Sequence, residues 1–478
     1  MNSLVKYLQH RNWKIFILLI IPILGSIYVL QANRFGIGVT PDSTIYISSA
    51  ESYSKTHEFR TILKGPEMEY LSHYPPGYPF SLYLVNLIVH DFYLAAVVIN
   101  AFALAALLWA VGRYSMRFMN QEQILLVQLM ILFNIQFVDI YAMAWSEPLY
   151  FLSSFIGLVF LADFIETKQL KWLYSAALAM AVSCSLRYVG ITLVITGSFA
   201  LWFFQKEVNA RRRIFQMLQF AFVSSFILIY WFVRNWILMN NPANRKFEFH
   251  PISLEYYNDL LSNTFKYFFS FNIDSITTIF IGGVLLFLLF YFLFKVFKMQ
   301  KSNGKIWILY FWVYFAFLYF SNTFLDFTPY YNRTLAPIFF FIPMIAFLNS
   351  QHSKRWVIGL IYVLLILIPF TKVNARRCDG MEYNSAIYRI PSTIQALQNL
   401  EKNSVKYSNE PDRIYFLTGE VCYWLDQFEA IDSTGNCYMI LFKNGRKYDP
   451  EFWNKSGKLW NEVFESSDVT IKRMDQGN

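Results

Sequence analysis

The feature that most constrains this chain is a recurring block of 15 to 21 apolar residues, nearly free of charge. Such blocks cover residues 15–30, 92–112, 124–138, 148–163, 172–186, 190–204, 214–233, 276–294, 306–320, 335–349 and 356–370. A bilayer core about 30 Å thick takes roughly 17–25 residues of helix. The blocks therefore predict about eleven transmembrane helices, several of them short. Composition agrees: 56% of residues are hydrophobic and only 15% charged, where a soluble domain carries about 25% charged residues. A soluble enzyme, a coiled coil and a disordered scaffold are excluded. The expected fold is an α-helical polytopic membrane protein.

Charge sets the expected topology. With the N-terminus in the cytoplasm, the inner loops 1–14, 113–122, 165–171, 205–213, 295–305 and 350–355 hold seventeen Lys and Arg against three acids. That is the positive-inside pattern, so the net charge of +9 reflects topology and no nucleic-acid partner is expected. The apolar stretch 80–90 is too short to span. Counting it would reverse every later loop, so it is read as interfacial or re-entrant. The first block could also be a signal peptide, but Gln31-Ala32-Asn33-Arg34 makes a poor cleavage site and the block is read as a retained anchor. The chain then divides into a transmembrane part, 1–370, with a large first outer loop at 31–91, and a C-terminal extracytoplasmic α/β domain, 371–478. In that tail the pattern predicts a helix near 384–402, a strand at Arg413–Leu417, a helix near 419–428, a strand at Cys437–Phe442 and a helix over 451–465. The four cysteines show no metal-ligand spacing, and Cys422 and Cys437 are read either as a disulfide or as free thiols.

The polar residues that could carry chemistry lie in the outer loops. Asp42 follows Thr40-Pro41 at the head of a helix-like run; it is a candidate general base, or else a helix cap. His73 and Tyr74, in Ser72-His73-Tyr74-Pro75-Pro76-Gly77-Tyr78-Pro79, are candidates for substrate contact. The hairpin from Asp139 to Pro148 sets two carboxylates at a bilayer surface, Glu147 being either a second catalytic acid or the start of the next helix. Arg187, Arg234 and Arg333 stand at span ends. Each could grip a phosphate bidentately or simply reach toward lipid headgroups. His57, His73 and Glu67–Glu69 have no zinc-ligand spacing, so neither a metal nor a cofactor is expected. P-loop, GxGxxG and GxSxG patterns are absent from the sequence.

This constellation resembles the GT-C superfamily of lipid-dependent glycosyltransferases. It is most similar to the branch with protein O-mannosyltransferases and the aminoarabinose transferase of lipid A. The resemblance rests on Asp42 in a long first outer loop, the Tyr-Pro-Pro-Gly-Tyr-Pro that closes it, Ser146-Glu147-Pro148, Tyr331-Asn332-Arg333-Thr334-Leu335-Ala336-Pro337 and the extracytoplasmic tail. It implies an enzyme of the cell membrane that moves a sugar, with inversion, from a polyprenyl-phosphate donor to a lipid, glycan or protein acceptor on the outer face. Asp42 would act on the acceptor, and Arg187, Arg234 or Arg333 would steady the leaving phosphate. Many relatives carry Asp-Glu where this chain has Asp42-Ser43, which leaves room for Glu147 or Asp139 as a second acid. The competing readings are a lipid-linked-glycan flippase or transporter, and an O-antigen polymerase or ligase.

Overall fold

The computed structural model describes residues 13–62, 65, 68–269, 271, 273–325, 330–347, 370–402, 404–430, 437–445 and 460–474. Helix α1 (Trp13–Ala32) leads into a loop holding α2 (Pro41–Thr56), the antiparallel pair β1 (Arg60–Thr61) and β2 (Glu69–Tyr70), and α3 (Gly77–Val89). Then come α4 (Phe92–Ser115), α5 (Gln121–Leu132), α6 (Ile135–Tyr141), α7 (Glu147–Thr167), α8 (Leu170–Leu186) and α9 (Ile191–Phe204). The helical region continues with α10 (Ala210–Met239), α11 (Leu254–Phe268), α12 (Ser275–Met299), α13 (Ser302–Phe324), α14 (Asn332–Phe339) and α15 (Ile342–Phe347).

Among the described residues six helices are long and apolar enough to cross a membrane: α1, α4, α7, α10, α12 and α13. The eleven expected crossings are thus not all realised as long helices. The other apolar helices run 10–17 residues, and at 1.5 Å per residue they reach at most about 25 Å. The block 124–138 breaks at Asn134, whose side chain accepts the Gln136 N–H at 3.0 Å and starts α6 anew. The block 335–349 turns at residues 340–341, just before Pro343, which has no N–H to continue a helical ladder. The expected span 356–370 lies outside the described residues except for residue 370, from which the described chain is helical to residue 379.

The helices pack through side chains suited to close approach. Gln128 of α5 is buried and donates to the carbonyls of Ile17 (3.0 Å) and Leu108 (2.8 Å), tying α5 to α1 and α4. At Gly282 of α12, an added Cβ would sit 1.9 Å from the Leu261 carbonyl oxygen of α11, so only glycine allows these backbones to meet. Arg117, after α4, is ion-paired with the buried Asp163 of α7.

The tail folds around a five-stranded mixed sheet of order β4-β3-β5-β7-β6, built from β3 (Val405–Ser408), β4 (Tyr423–Trp424), β5 (Cys437–Phe442), β6 (Trp460–Glu465) and β7 (Val469–Met474). Helices α16 (Pro391–Gln398) and α17 (Pro411–Thr418) accompany it. Strand β5 falls where the sequence predicts it. The expected strand at Arg413–Leu417 is instead α17: Pro411 and Asp412 occupy its first turn and Gly419 closes it at φ 74°, and these start and stop signals outweigh the Ile-Tyr-Phe run. The expected helix 384–402 is trimmed to begin at Pro391. The expected helix 419–428 resolves into β4 and a short 3₁₀ turn, Leu425–Ala430, because Tyr423 and Trp424 pair with β3. Of the expected helix 451–465, residues 460–465 are β6, paired with β7, and the rest lie outside the described residues. Neither Cys422 nor Cys437 is in a disulfide; one packs with Leu397, Ile414 and Ile440, the other with Tyr407, Met439 and Leu441, on opposite faces of the sheet.

The tail core contains a charge pair. Arg413 and Asp468 are 0% and 2% exposed. The guanidinium donates through Nη1 and Nη2 to the two carboxylate oxygens at 3.1 and 2.6 Å and through Nη2 to the Tyr388 carbonyl at 2.8 Å, and it stacks 4.0 Å from the Phe442 ring. Removing one partner of such a pair strands a buried charge, which costs about 3–5 kcal/mol. Asp468→Ala is expected to lower the tail's stability by that amount in denaturant unfolding followed by near-ultraviolet circular dichroism, whereas Lys443→Ala, at an exposed ion pair with Glu465, is expected to change it by less than about 1 kcal/mol.

Candidate functional site

The site begins with a short extended segment after α1. Residues 37–39 run between two other segments: Gly38 bridges to Met143 and Val39 to Glu382, both in parallel. Gly38 N–H donates to the Ala142 carbonyl at 2.8 Å, Ala144 N–H to the Gly38 carbonyl at 3.0 Å, and Tyr383 N–H to the Val39 carbonyl at 3.1 Å. A Cβ on Gly38 would lie 2.4 Å from the Met143 sulfur, so the two flanking segments close on this position only because it carries no side chain.

Thr40 then caps α2, its hydroxyl accepting the Ser43 N–H at 3.4 Å and the Trp145 indole N–H at 2.9 Å. The cap is therefore Thr40, and Asp42, in the first turn, is turned to other partners. Its Oδ1 accepts the Tyr74 hydroxyl at 2.6 Å and its Oδ2 is ion-paired with Arg333. Glu147 opens α7 and is ion-paired with Arg187, at the C-terminal end of α8. Arg333 Nε also stands 4.0 Å from Glu147 Oε1, and its guanidinium lies over the Trp145 ring at 4.8 Å. Ser146 makes no side-chain cap; its hydroxyl faces Arg187 at 3.5 Å and the Tyr46 hydroxyl at 3.4 Å. Two carboxylates and two guanidiniums thus alternate: Asp42, Arg333, Glu147, Arg187.

The two acids differ in access. The Glu147 side chain is 1% exposed and that of Asp42 is 21% exposed, so Asp42 alone of the two can meet a substrate. Burial pushes the Asp42 carboxyl up, but the Arg333 guanidinium, the Tyr74 hydroxyl and His73 more than offset it and hold it below the usual carboxylate range. Burial, with the Asp42 charge beside it, pushes the Tyr74 phenol well up, which keeps Tyr74 a donor.

Residues 70–74 form a strap across this site. Leu71 O accepts from Arg234 Nη1 at 3.0 Å, Ser72 O accepts the Tyr188 hydroxyl at 2.5 Å, His73 Nε2 meets Arg245 Nη2 at 3.2 Å and Tyr74 reaches Asp42. Arg234 Nη1 also donates to Asn235 Oδ1 at 2.8 Å, and its guanidinium lies near the faces of Tyr70 and Trp231. Its Nε and Nη2 make no hydrogen bond among the described residues.

The structure gathers Asp42, Glu147, Arg187, Arg333 and Tyr74 into one cluster, with His73 and Arg234 along the strap. Asp139 is held away by Lys372 and Arg376, each at 3.0 Å, which leaves Glu147 as the acid next to Asp42. Sequence reasoning missed Trp145 and Arg245. The signal for Arg245 was turn chemistry: Asn241 Oδ1 accepts the N–H groups of Ala243 and Asn244 at 3.2 and 2.8 Å, and Asn235 Nδ2 donates to Pro242 O at 2.9 Å, fixing the loop that presents it. His57 closes α2 at φ 59°, and Glu67 lies outside the described residues. No group of three metal-ligating side chains occurs among the described residues.

No family model matches the sequence, and no curated protein matches it. Solved structures do. ArnT from Cupriavidus metallidurans, bound to undecaprenyl phosphate, superposes with a TM-score of 0.59 at 12% identity over 95% of this chain and 97% of its own. An oligosaccharyltransferase of Archaeoglobus fulgidus, in complex with zinc and sulfate, gives 0.52 at 12% identity over 84% of this chain and 61% of its own. Archaeal oligosaccharyltransferase AglB from Archaeoglobus fulgidus, in complex with an inhibitory peptide and a dolichol-phosphate, gives 0.52 at 9% identity over 90% and 70%. The fold of this chain is therefore the one shared by ArnT and the archaeal oligosaccharyltransferases.

Proposed function

We propose that this protein is an integral-membrane glycosyltransferase that moves a sugar from a polyprenyl-phosphate donor to a hydroxyl of a lipid, glycan or protein acceptor, with inversion. The observation that carries the reading is that Asp42, the accessible one of the two clustered carboxylates, is held ionised by Arg333 and Tyr74 within a GT-C fold. In this reading the N-terminus is cytoplasmic, and residues 371–478 and the site lie on the outer side.

The chemistry follows from the partners. An acceptor hydroxyl attacks the anomeric carbon from the face opposite the phosphate and loses its proton to Asp42. Each carboxylate oxygen has a second lone pair beyond the one engaged by Tyr74 or Arg333, so a proton can be taken without breaking the cluster. The phosphate leaves as an anion and needs cationic support, not protonation. Arg333 and Arg187 are neutralised by Asp42 and Glu147, whereas the Nε–Nη2 edge of Arg234 is open to a bidentate oxyanion. Arg245 and His73 stand along the same strap. The support for a lipid-phosphate donor is therefore this cationic edge, together with the undecaprenyl phosphate and dolichol-phosphate held by the structural neighbours. Glu147, sealed by Arg187, fixes Arg333 and is not the base.

Three outcomes are expected with purified protein in proteoliposomes and a pool of polyprenyl-phosphate sugars. Asp42→Asn is expected to lose glycosylated product by about 10²–10⁴-fold while folding and inserting normally, with products read by mass spectrometry; full transfer by this variant sinks the reading, and donor crossing the bilayer with no glycosidic bond formed points to a flippase. Arg234→Gln is expected to lower kcat/KM for the donor by roughly 10- to 100-fold, the worth of one charged hydrogen-bonded contact. In wild type the depressed Asp42 pKa keeps the base ionised well into acid; Arg333→Gln removes the largest lowering influence, so the acid limb of the kcat/KM profile is expected to move to higher pH. An unmoved limb would show that Asp42 is not the titrating base.

A further inference from the structure

The segment that carries Asp42 is held on both sides by the tail. Upstream of Asp42, Tyr383 N–H donates to the Val39 carbonyl at 3.1 Å and Asn384 Nδ2 to the Ile37 carbonyl at 2.9 Å. Downstream, the Thr44 hydroxyl meets Asp412 Oδ1 at 3.1 Å and the Tyr415 hydroxyl donates to Glu51 Oε2 at 2.7 Å. The Phe416 ring packs edge-on against Tyr93 of α4 with centroids 5.5 Å apart. Asp412, Tyr415 and Phe416 all belong to α17, and Asp412 is 5% exposed. A buried carboxylate at a contact between two parts of the chain is costly unless it is hydrogen-bonded there, as Asp412 is by the Thr44 hydroxyl.

We infer that α17 is a positioning element of the site: Asp412 and Tyr415 hold α2 in the register that sets Asp42 against Arg333 and Tyr74. The placement supports this. Thr44 and Asp42 share the first turn of α2, so Asp412 grips the side chain two residues from the reacting carboxylate, and Glu51 lies about two further turns along the same helix. The Arg413–Asp468 pair in turn locks α17 to the sheet. Asp412 and Tyr415 do not touch substrate; they act through Asp42. This inference rests on the transferase reading for its kinetic consequence but not for its structural one.

The test uses the full-length protein in proteoliposomes with Thr44→Ala, Tyr415→Phe, Asp412→Ala and Asp412→Asn. Hydrogen–deuterium exchange of the peptide covering residues 37–50 is expected to quicken about 10-fold or more in Asp412→Ala and in the Thr44→Ala/Tyr415→Phe double variant. In the same variants kcat is expected to fall by roughly 10- to 100-fold, the scale on which small misplacements act, with donor KM within about twofold, and the acid limb is expected to rise as Asp42 loosens from Arg333. Asp412→Asn, whose amide oxygen still accepts the Thr44 hydroxyl, is expected to restore both exchange and kcat. Tyr415→Phe is the fold-sparing variant, since the buried Thr44 hydroxyl also donates to the Pro41 carbonyl at 2.7 Å. Unchanged exchange at residues 37–50 in the double variant overturns the inference whether or not any sugar is transferred. A kcat loss with an unmoved acid limb and no rescue by Asn overturns it as well. Absence of product from wild type, with exchange responding as stated, overturns the transferase reading and leaves the positioning intact.

Discussion

Four alternating charges hold this structure's working end together. Asp42 comes from the loop after α1, Glu147 from the start of α7, Arg187 from the end of α8 and Arg333 from the start of α14. None of these charges is tolerable alone where water is scarce. Each is therefore obliged to find its partner, and four distant stretches of chain are drawn to one point. The aromatic surroundings, Trp145 over Arg333 and Tyr46 against Tyr74 and Tyr78, exclude water and strengthen the pairing. Of the two acids in this ring only Asp42 is accessible, which is why it is the one proposed as the base.

Much of that was legible in the sequence because membrane burial makes polar residues conspicuous. Glu147, Arg187 and Arg333 stand at the ends of apolar blocks and Asp42 about a dozen residues beyond one, where an ionisable group is conspicuous. What could not be read was who pairs with whom. Asp139 and Glu147 sit eight residues apart in one hairpin and look equivalent, yet Lys372 and Arg376 from beyond the last apolar block neutralise Asp139. Whether Asp42 capped its helix also depended on a neighbour: Thr40 does so, with Trp145 supporting it.

Span counting and the tail were less legible for a different reason. Hydropathy registers apolar length but not the local event that ends a helix, such as the Asn134 side chain seizing the Gln136 amide or Pro343 lacking a donor. In the tail, the run Arg413–Leu417 has strand-like composition. Its fate was decided by Pro411 before it and Gly419 after it, and by the buried pairing of Arg413 with Asp468. Edge pairing with β3 likewise turned Tyr423–Trp424 from helix to strand, a long-range effect that no local window contains.

The tail's thiols carry one more consequence. Cys422 and Cys437 lie on opposite faces of the sheet, buried and unbridged, and Cys378 stands exposed at the end of the helical stretch that leads into the tail. The sheet is held by its apolar layers and by the Arg413–Asp468 pair, not by a covalent staple. Its folding is therefore indifferent to the redox potential of the compartment, and a strong reductant leaves its stability where an oxidant does.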